Sequence, residues 1–184
     1  MVVYTIKNNF LAVSSVILFF LVASSNGRFD IKISESEINT ICSQGANPSF
    51  CFQFFKSTPE TKTMNLSGVA EFLIKYASRN AIDLSNQFKS LVKSTVDPRS
   101  KSIYAECSQL YEIAVSNFDD ALKDLAAKDN LSVNVGVTAA MTDGGTCRDD
   151  LVSVRPSPKL LKKISDIENL SAIVLVISKI LPNN

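Results

Sequence analysis

From Leu66 onward the apolar residues recur three or four positions apart, the period of a helix with one buried face and not the alternation of a strand. The first such row is Leu66, Ala70, Leu73, Ala77, Ala81, Leu84, Phe88 and Leu91, and it stops at Val96-Asp97-Pro98, because proline disfavours helix in the residue before it. Asp97 then offers a cap and Pro98 a first-turn residue for a second row, Ile103, Cys107, Leu110, Ala114, Phe118, Ala121 and Leu125, which ends near Asp129-Asn130. A third row, Val133, Val137, Ala140, Gly144, Cys147 and Leu151, has poorer helix propensity, being rich in valine and carrying Gly144-Gly145. The fourth follows Pro156 and Pro158 and runs Leu160, Ile164, Ile167, Leu170, Val174, Ile177 and Leu181. Four rows on short connections predict an all-α fold, an up-down-up-down four-helix bundle over about residues 64–182.

The chain upstream has a different pattern. Ser34-Glu35-Ser36-Glu37 reads as the capped start of a short helix reaching Cys42, and Asn47-Pro48 opens another that carries Cys51, Phe52, Phe54 and Phe55. Together they predict a small disulfide-closed helical hairpin at about residues 30–60, whose aromatic rings must pack on the bundle or on a second molecule. Further upstream, Lys7 precedes an apolar to weakly polar run of 13 residues, Phe10 to Val22, followed by Ala23-Ser24-Ser25. A membrane span needs about 20 apolar residues, so this run predicts a signal peptide, residues 1–25, and a mature domain of residues 26–184. The apolar tail of the fourth row is also too short to span.

Charge and composition narrow the function classes. The chain has 19 Lys and Arg against 18 Asp and Glu; without Lys7, which lies in the leader, the two are equal at 18. Neutrality argues against nucleic acid or an anionic membrane as partner, since both reward a positive excess. Four cysteines in an exported chain read as two disulfides. Three pairings are open, and Cys42 to Cys51 with Cys107 to Cys147 is the simplest, the first pair nine apart and the second joining two separate helical rows.

Histidine is absent, which removes the Ser-His-Asp and Cys-His nucleophiles and most zinc sites. The adjacent acids Asp119-Asp120 and Asp149-Asp150 point about 100° apart on a helix, and a filled bundle offers no groove to hold a sugar between them. Asp143-Gly144-Gly145 lacks the lysine and the preceding strand of a phosphate loop. No catalytic residue, metal ligand or cofactor site emerges, and the chain reads as a non-enzyme. Three sequons, at Asn65, Asn130 and Asn169, are glycosylation candidates, the first two at helix boundaries and the third mid-helix. In the third row Thr138, Thr142, Thr146 and Asp149 fall four, four and three apart, a stripe of short polar groups beside the core seam that suits a flat docking face.

The cysteine arrangement, with Ala105-Glu106-Cys107-Ser108-Gln109-Leu110-Tyr111, Thr138-Ala139-Ala140-Met141, Gly145-Thr146-Cys147-Arg148-Asp149 and the tail Leu170 to Leu181, resembles the plant invertase and pectin methylesterase inhibitor family. The resemblance covers the whole mature chain. It implies a helical hairpin on a four-helix bundle, two sequential disulfides, secretion to the apoplast, and inhibition of a carbohydrate-active enzyme of the cell wall by a monomer or weak dimer. In the invertase inhibitors a Pro-Lys-Phe segment between the second and third bundle helices enters the target; the matching place here is Asp129-Asn130-Leu131, where a glycan on Asn130 would obstruct insertion. The tail Ile173 to Ser178 and the stretch around Thr146 are more similar to pectin methylesterase inhibitors. In those, the bundle lies across the esterase cleft and uses the threonine immediately before the fourth cysteine, here Thr146, with Thr142 on the same stripe and Asn134, Asp149 and Gln109 as companions by position. Gln109 stands where the family often has an acid. The expected partner is thus pectin methylesterase, with acid invertase as the alternative target and a non-inhibitory extracellular binding protein of the same fold as the alternative function.

Overall fold

A computed structural model of the chain describes residues 32–182, so the expected signal peptide lies outside the described residues. Every regular element described is helical. Two short helices, α1 (Glu35–Gln44) and α2 (Pro48–Ser57), precede a 3₁₀ turn, Pro59–Thr63. Four long helices follow: α3 (Leu66–Ser94), α4 (Pro98–Ala127), α5 (Asn130–Leu151) and α6 (Pro158–Ile180). Each long helix packs on the next, and α6 closes the ring against α3. The up-down-up-down bundle is therefore present.

Sequence-encoded caps set the helix starts. Ser34 and Glu37 form the full capping box, Glu37 N–H donating to Ser34 Oγ at 3.1 Å and Ser34 N–H to the Glu37 carboxylate at 2.8 Å. Asn47, Asn65, Asp97, Asp129 and Ser157 cap α2 to α6 in turn, with proline in the first turn of α2, α4 and α6. The hydrogen bonds to Ser34, Ser100 and Ser132 hold the Glu37, Asp97 and Asp129 carboxyls below their usual range. Only Lys128 and Asp129 separate α4 from α5, and Lys128 adopts the left-handed conformation, φ 61°, that turns the chain back.

Both predicted bridges are formed, Cys42–Cys51 with its Cα atoms 5.3 Å apart and Cys107–Cys147 at 4.9 Å. The third row is buried at every predicted position, glycine included. Close approach explains one glycine of α5: a Cβ on Gly136 would stand 3.1 Å from the Asn117 carbonyl oxygen and 3.3 Å from Ala121 Cβ, so α5 rides tightly on α4 there. The second row needs a correction. Tyr111, not Leu110, points into the core, and its ring stacks on Phe88 at 5.9 Å while Leu110 stays half-buried.

Phe54 and Phe55 of the hairpin pack on this chain's own bundle, while Phe52 stays 41% exposed. Phe55 is buried, and Phe54 meets Phe72 and Tyr76 of α3 at 6.5 and 6.3 Å. Helices α1 and α2 also pack on α6, where Ile173 and Val176 are buried outside the predicted row. This accounts for the unbroken apolar run Ile173 to Ile177, since a helix contacted on two sides needs apolar residues all round. No helix among the described residues is long and apolar enough to cross a membrane.

Candidate functional site

Helix α5 presents one continuous exposed row to solvent. Leu131, Val135, Thr138, Thr142, Thr146 and Asp149 are all exposed and succeed one another three or four residues apart, so they align on the side turned away from the core. The first two are apolar, with 76% of Leu131 and 63% of Val135 accessible. Neither was singled out from sequence, although extending the Thr138, Thr142, Thr146 spacing backwards leads to both. The row therefore joins an apolar end to a hydroxyl-bearing end on one side of the helix.

The hydroxyls have a fixed polarity. Thr146 Oγ1 donates to the Thr142 carbonyl oxygen at 2.9 Å, and Thr142 Oγ1 donates to the Thr138 carbonyl oxygen at 3.0 Å. With the hydroxyl protons committed to the helix's own backbone, both side chains offer only lone pairs outward. Asp149 adds a largely exposed carboxylate, 3.5 Å from Arg148 Nε. Thr142, Thr146 and Asp149 thus present acceptors that N–H, O–H or cationic donors would match.

Beside the row lie a solvent-accessible ion pair and a buried ring. Arg148 Nη1 donates to both carboxylate oxygens of Glu168 at 2.8 Å, tying α5 to α6. Tyr111 Oη has no hydrogen-bond partner among the described residues and lies against Gly144, where a Cβ would come within 3.4 Å of it. Burial, with the Glu168 charge second, pushes the Tyr111 phenol far above its ordinary value. Tyr111 is a neutral packing element.

The predicted site residues divide between faces. Thr142, Thr146 and Asp149 share the exposed row. Asn134 leans towards α6, donating to Ser178 Oγ at 2.9 Å. Gln109 lies elsewhere, lining the α3–α4 groove with Lys89, Lys93 and Glu112. Among the sequons, Asn65 caps α3 by accepting from Gly68 N–H at 2.7 Å, and Asn169 donates to Ser165 Oγ at 3.3 Å. Asn130 is 6% exposed, and its Nδ2 donates to the Leu181 and Pro182 carbonyl oxygens at 3.2 Å. A glycan there would break the packing of the α5 start against the chain end. The α4–α5 turn itself is a tight two-residue reversal with no projecting segment.

Asp143, on the side of α5 facing α4, is the group with a pH consequence. Burial raises its carboxyl above the ordinary value, opposed by Asn117 Nδ2 donating to Oδ2 at 2.9 Å. A folded value above the unfolded one stabilises below the unfolded value, about 3.9, and that contribution is lost as pH rises through the folded value. Asp143→Asn should thus raise the melting temperature slightly at pH 7 and leave it unchanged near pH 3, where both side chains are neutral. An equal shift at both pH values would assign the effect to packing. No group of three or more His, Cys, Asp or Glu among the described residues is placed to hold a metal ion.

An all-helical bundle stapled by two disulfides, with one exposed polar-to-apolar row on α5, defines the structural class. The chain belongs to the plant invertase/pectin methylesterase inhibitor family, whose family model matches residues 36–177. "Pectinesterase inhibitor 1" of Arabidopsis thaliana is 34% identical over 93% of this chain and 94% of its own length. A protein of Platanus acerifolia assigned as an invertase inhibitor is 31% identical over 76% of this chain and 78% of its own. The crystal structure of a mutant form of a pectin methylesterase inhibitor from Arabidopsis superposes with a TM-score of 0.74 at 34% identity, covering 80% of this chain and 99% of that one.

Proposed function

We propose that this chain is a secreted inhibitor of pectin methylesterase that lays the exposed row of α5 across the enzyme's cleft and limits pectin demethylesterification. The observation that carries the reading is the row itself, six aligned exposed residues on a helix whose backbone is held by the Cys107–Cys147 bridge. Helix-borne groups lose little conformational freedom on docking, so more of the contact energy appears as affinity. Outward lone pairs on Thr142 and Thr146 and the Asp149 carboxylate match a cleft lined with donors, and Leu131 and Val135 supply an apolar anchor.

Two oxidised cysteine pairs support the export read from the N-terminal run, and with it an apoplastic location. The absence of histidine and of a clustered metal-ligand set among the described residues leaves binding as the chemistry the chain supplies. The tight α4–α5 turn offers nothing to insert into a pocket, which favours the esterase over acid invertase as target.

The test is to mix the purified chain with pectin methylesterase and, separately, with acid invertase and to follow each activity. Esterase activity should fall with equimolar inhibitor while invertase is unaffected. Loss of invertase activity alone would reverse the target. If neither falls, the chain is a non-inhibitory binding protein.

A further inference from the structure

A second site lies on another side of the molecule. Helices α2, α3 and α6 enclose a cleft of about 420 Å³, lined by Phe50, Phe54, Tyr76, Gln53, Asn80 and Lys163 among others. That is the size of a small-ligand site. Tyr76 is 44% exposed although it sits in an aromatic cluster: Phe72 stacks on one of its faces at 6.2 Å, and Phe54 meets it edge-on at 6.3 Å. An exposed ring held by two others is a rigid platform with little entropy left to lose.

Two lysines reach the cleft, and they differ. Lys162 is neutralised by Asp166, its Nζ donating to both carboxylate oxygens at 2.7 and 2.9 Å. Lys163 has no ion pair among the described residues, so the cleft carries one uncompensated positive charge. Gln53 and Asn80 add side-chain amides that can both donate and accept. An aromatic platform, two amides and one cation match a ligand with an apolar face, several hydroxyls and a single negative charge per unit.

We propose that this cleft binds a uronate sugar, with the pyranose C–H face on Tyr76, the carboxylate at Lys163 and the hydroxyls at Gln53 and Asn80. The choice of a uronate among anionic sugars rests on the proposed target, because de-esterified pectin is a polymer of such units. Helix α5 stands diagonally across the ring from α3, so the cleft and the docking row open on different sides. An inhibitor seated on the esterase by α5 keeps this cleft free for the polymer that the enzyme has de-esterified. The inhibitor is then retained where demethylesterification has already occurred.

The experiment titrates trigalacturonate and neutral galactotriose into the chain, with binding read by calorimetry and by saturation transfer from the aromatic protons to the sugar. Trigalacturonate should bind and galactotriose more weakly. Lys163→Gln and Tyr76→Ala should each weaken trigalacturonate about ten-fold, the loss expected for a contact to a charged group or of a stacking surface. Lys93→Gln, in the α3–α4 groove, should leave binding unchanged. Absence of binding at millimolar trigalacturonate, equal affinity for galactotriose, or an equal loss with Lys93→Gln would each overturn the proposal. Esterase inhibition measured on the same variants separates the two sites: retained inhibition by Lys163→Gln leaves the docking row standing whatever the sugar result.

Discussion

Removing the Cys107–Cys147 bridge should cost more stability than removing Cys42–Cys51, about 3.9 against about 2.6 kcal/mol from the entropy of closing loops 40 and 9 residues long. The comparison is well matched, because all four cysteines are essentially buried, so the cost of replacing sulfur is similar at both bridges. What differs is position. Cys107 and Cys147 join α4 to α5 in the bundle interior, one turn from the Tyr111 and Gly144 contact, whereas Cys42 and Cys51 join α1 to α2 on the outside of α6. Cys107→Ala/Cys147→Ala should lower the melting temperature by about 8 °C or more, and Cys42→Ala/Cys51→Ala by several degrees less. Hydrogen exchange adds a second readout. Loss of the outer bridge should open α1 and α2 locally and leave α3 to α5 protected, while loss of the inner bridge should reduce protection through the bundle. Equal melting losses with equal exchange patterns would mean that the hairpin and the bundle unfold as one unit and that loop length does not decide the cost.

Most of the fold was legible because helix periodicity survives poor local propensity. The row from Val133 to Leu151 contains valines and a double glycine, yet every predicted inward position is buried, since tertiary packing outweighs about 1 kcal/mol of propensity per glycine. Position within a turn was less legible. Leu110 and Tyr111 are adjacent, both can face inward, and the choice of Tyr111 depends on the space that Gly144 leaves opposite it, which only the assembled bundle reveals. The burial of Ile173 and Val176 has the same origin, because a second covering layer comes from α1 and α2, more than a hundred residues earlier in the chain.

The site was legible only along its own helix. Thr142, Thr146 and Asp149 lie together because one element carries all three, and the same spacing leads back to Leu131 and Val135. Gln109 belongs to another helix, and sequence gives no rotation of α4 about its axis relative to α5; the structure turns it to the α3 side. Asn130 illustrates the converse. A sequon at a helix start suggests exposure, but the polar side chain is used inward, donating to the Leu181 and Pro182 carbonyls just beyond the end of α6.

Thr146→Trp should abolish most inhibition while leaving the fold intact. Thr146 is exposed, and its side chain hydrogen bond goes to its own helix, so a large ring at this position meets solvent rather than core. Helical content and melting temperature should change little, because a substitution whose side chain meets solvent stays within about 0.5 kcal/mol. Against an enzyme cleft the same ring stands where a flat row must approach to contact distance, and the neighbouring disulfide keeps the backbone from yielding. Affinity should fall by about a hundred-fold, the loss of about 2.7 kcal/mol typical of a residue near the centre of an interface. Two further substitutions locate the boundary of the face. Val135→Asp, on the apolar half of the row, should also weaken inhibition strongly by placing an unpaired charge in the contact. Lys128→Ala, in the turn before α5, should alter mainly the association rate and its salt dependence, as a rim charge does. The measurement is the inhibition constant for pectin methylesterase for each variant, alongside its melting curve. If Thr146→Trp folds and inhibits as the parent does while Lys128→Ala does not, the contact lies around the α4–α5 turn and the row is not the docking face.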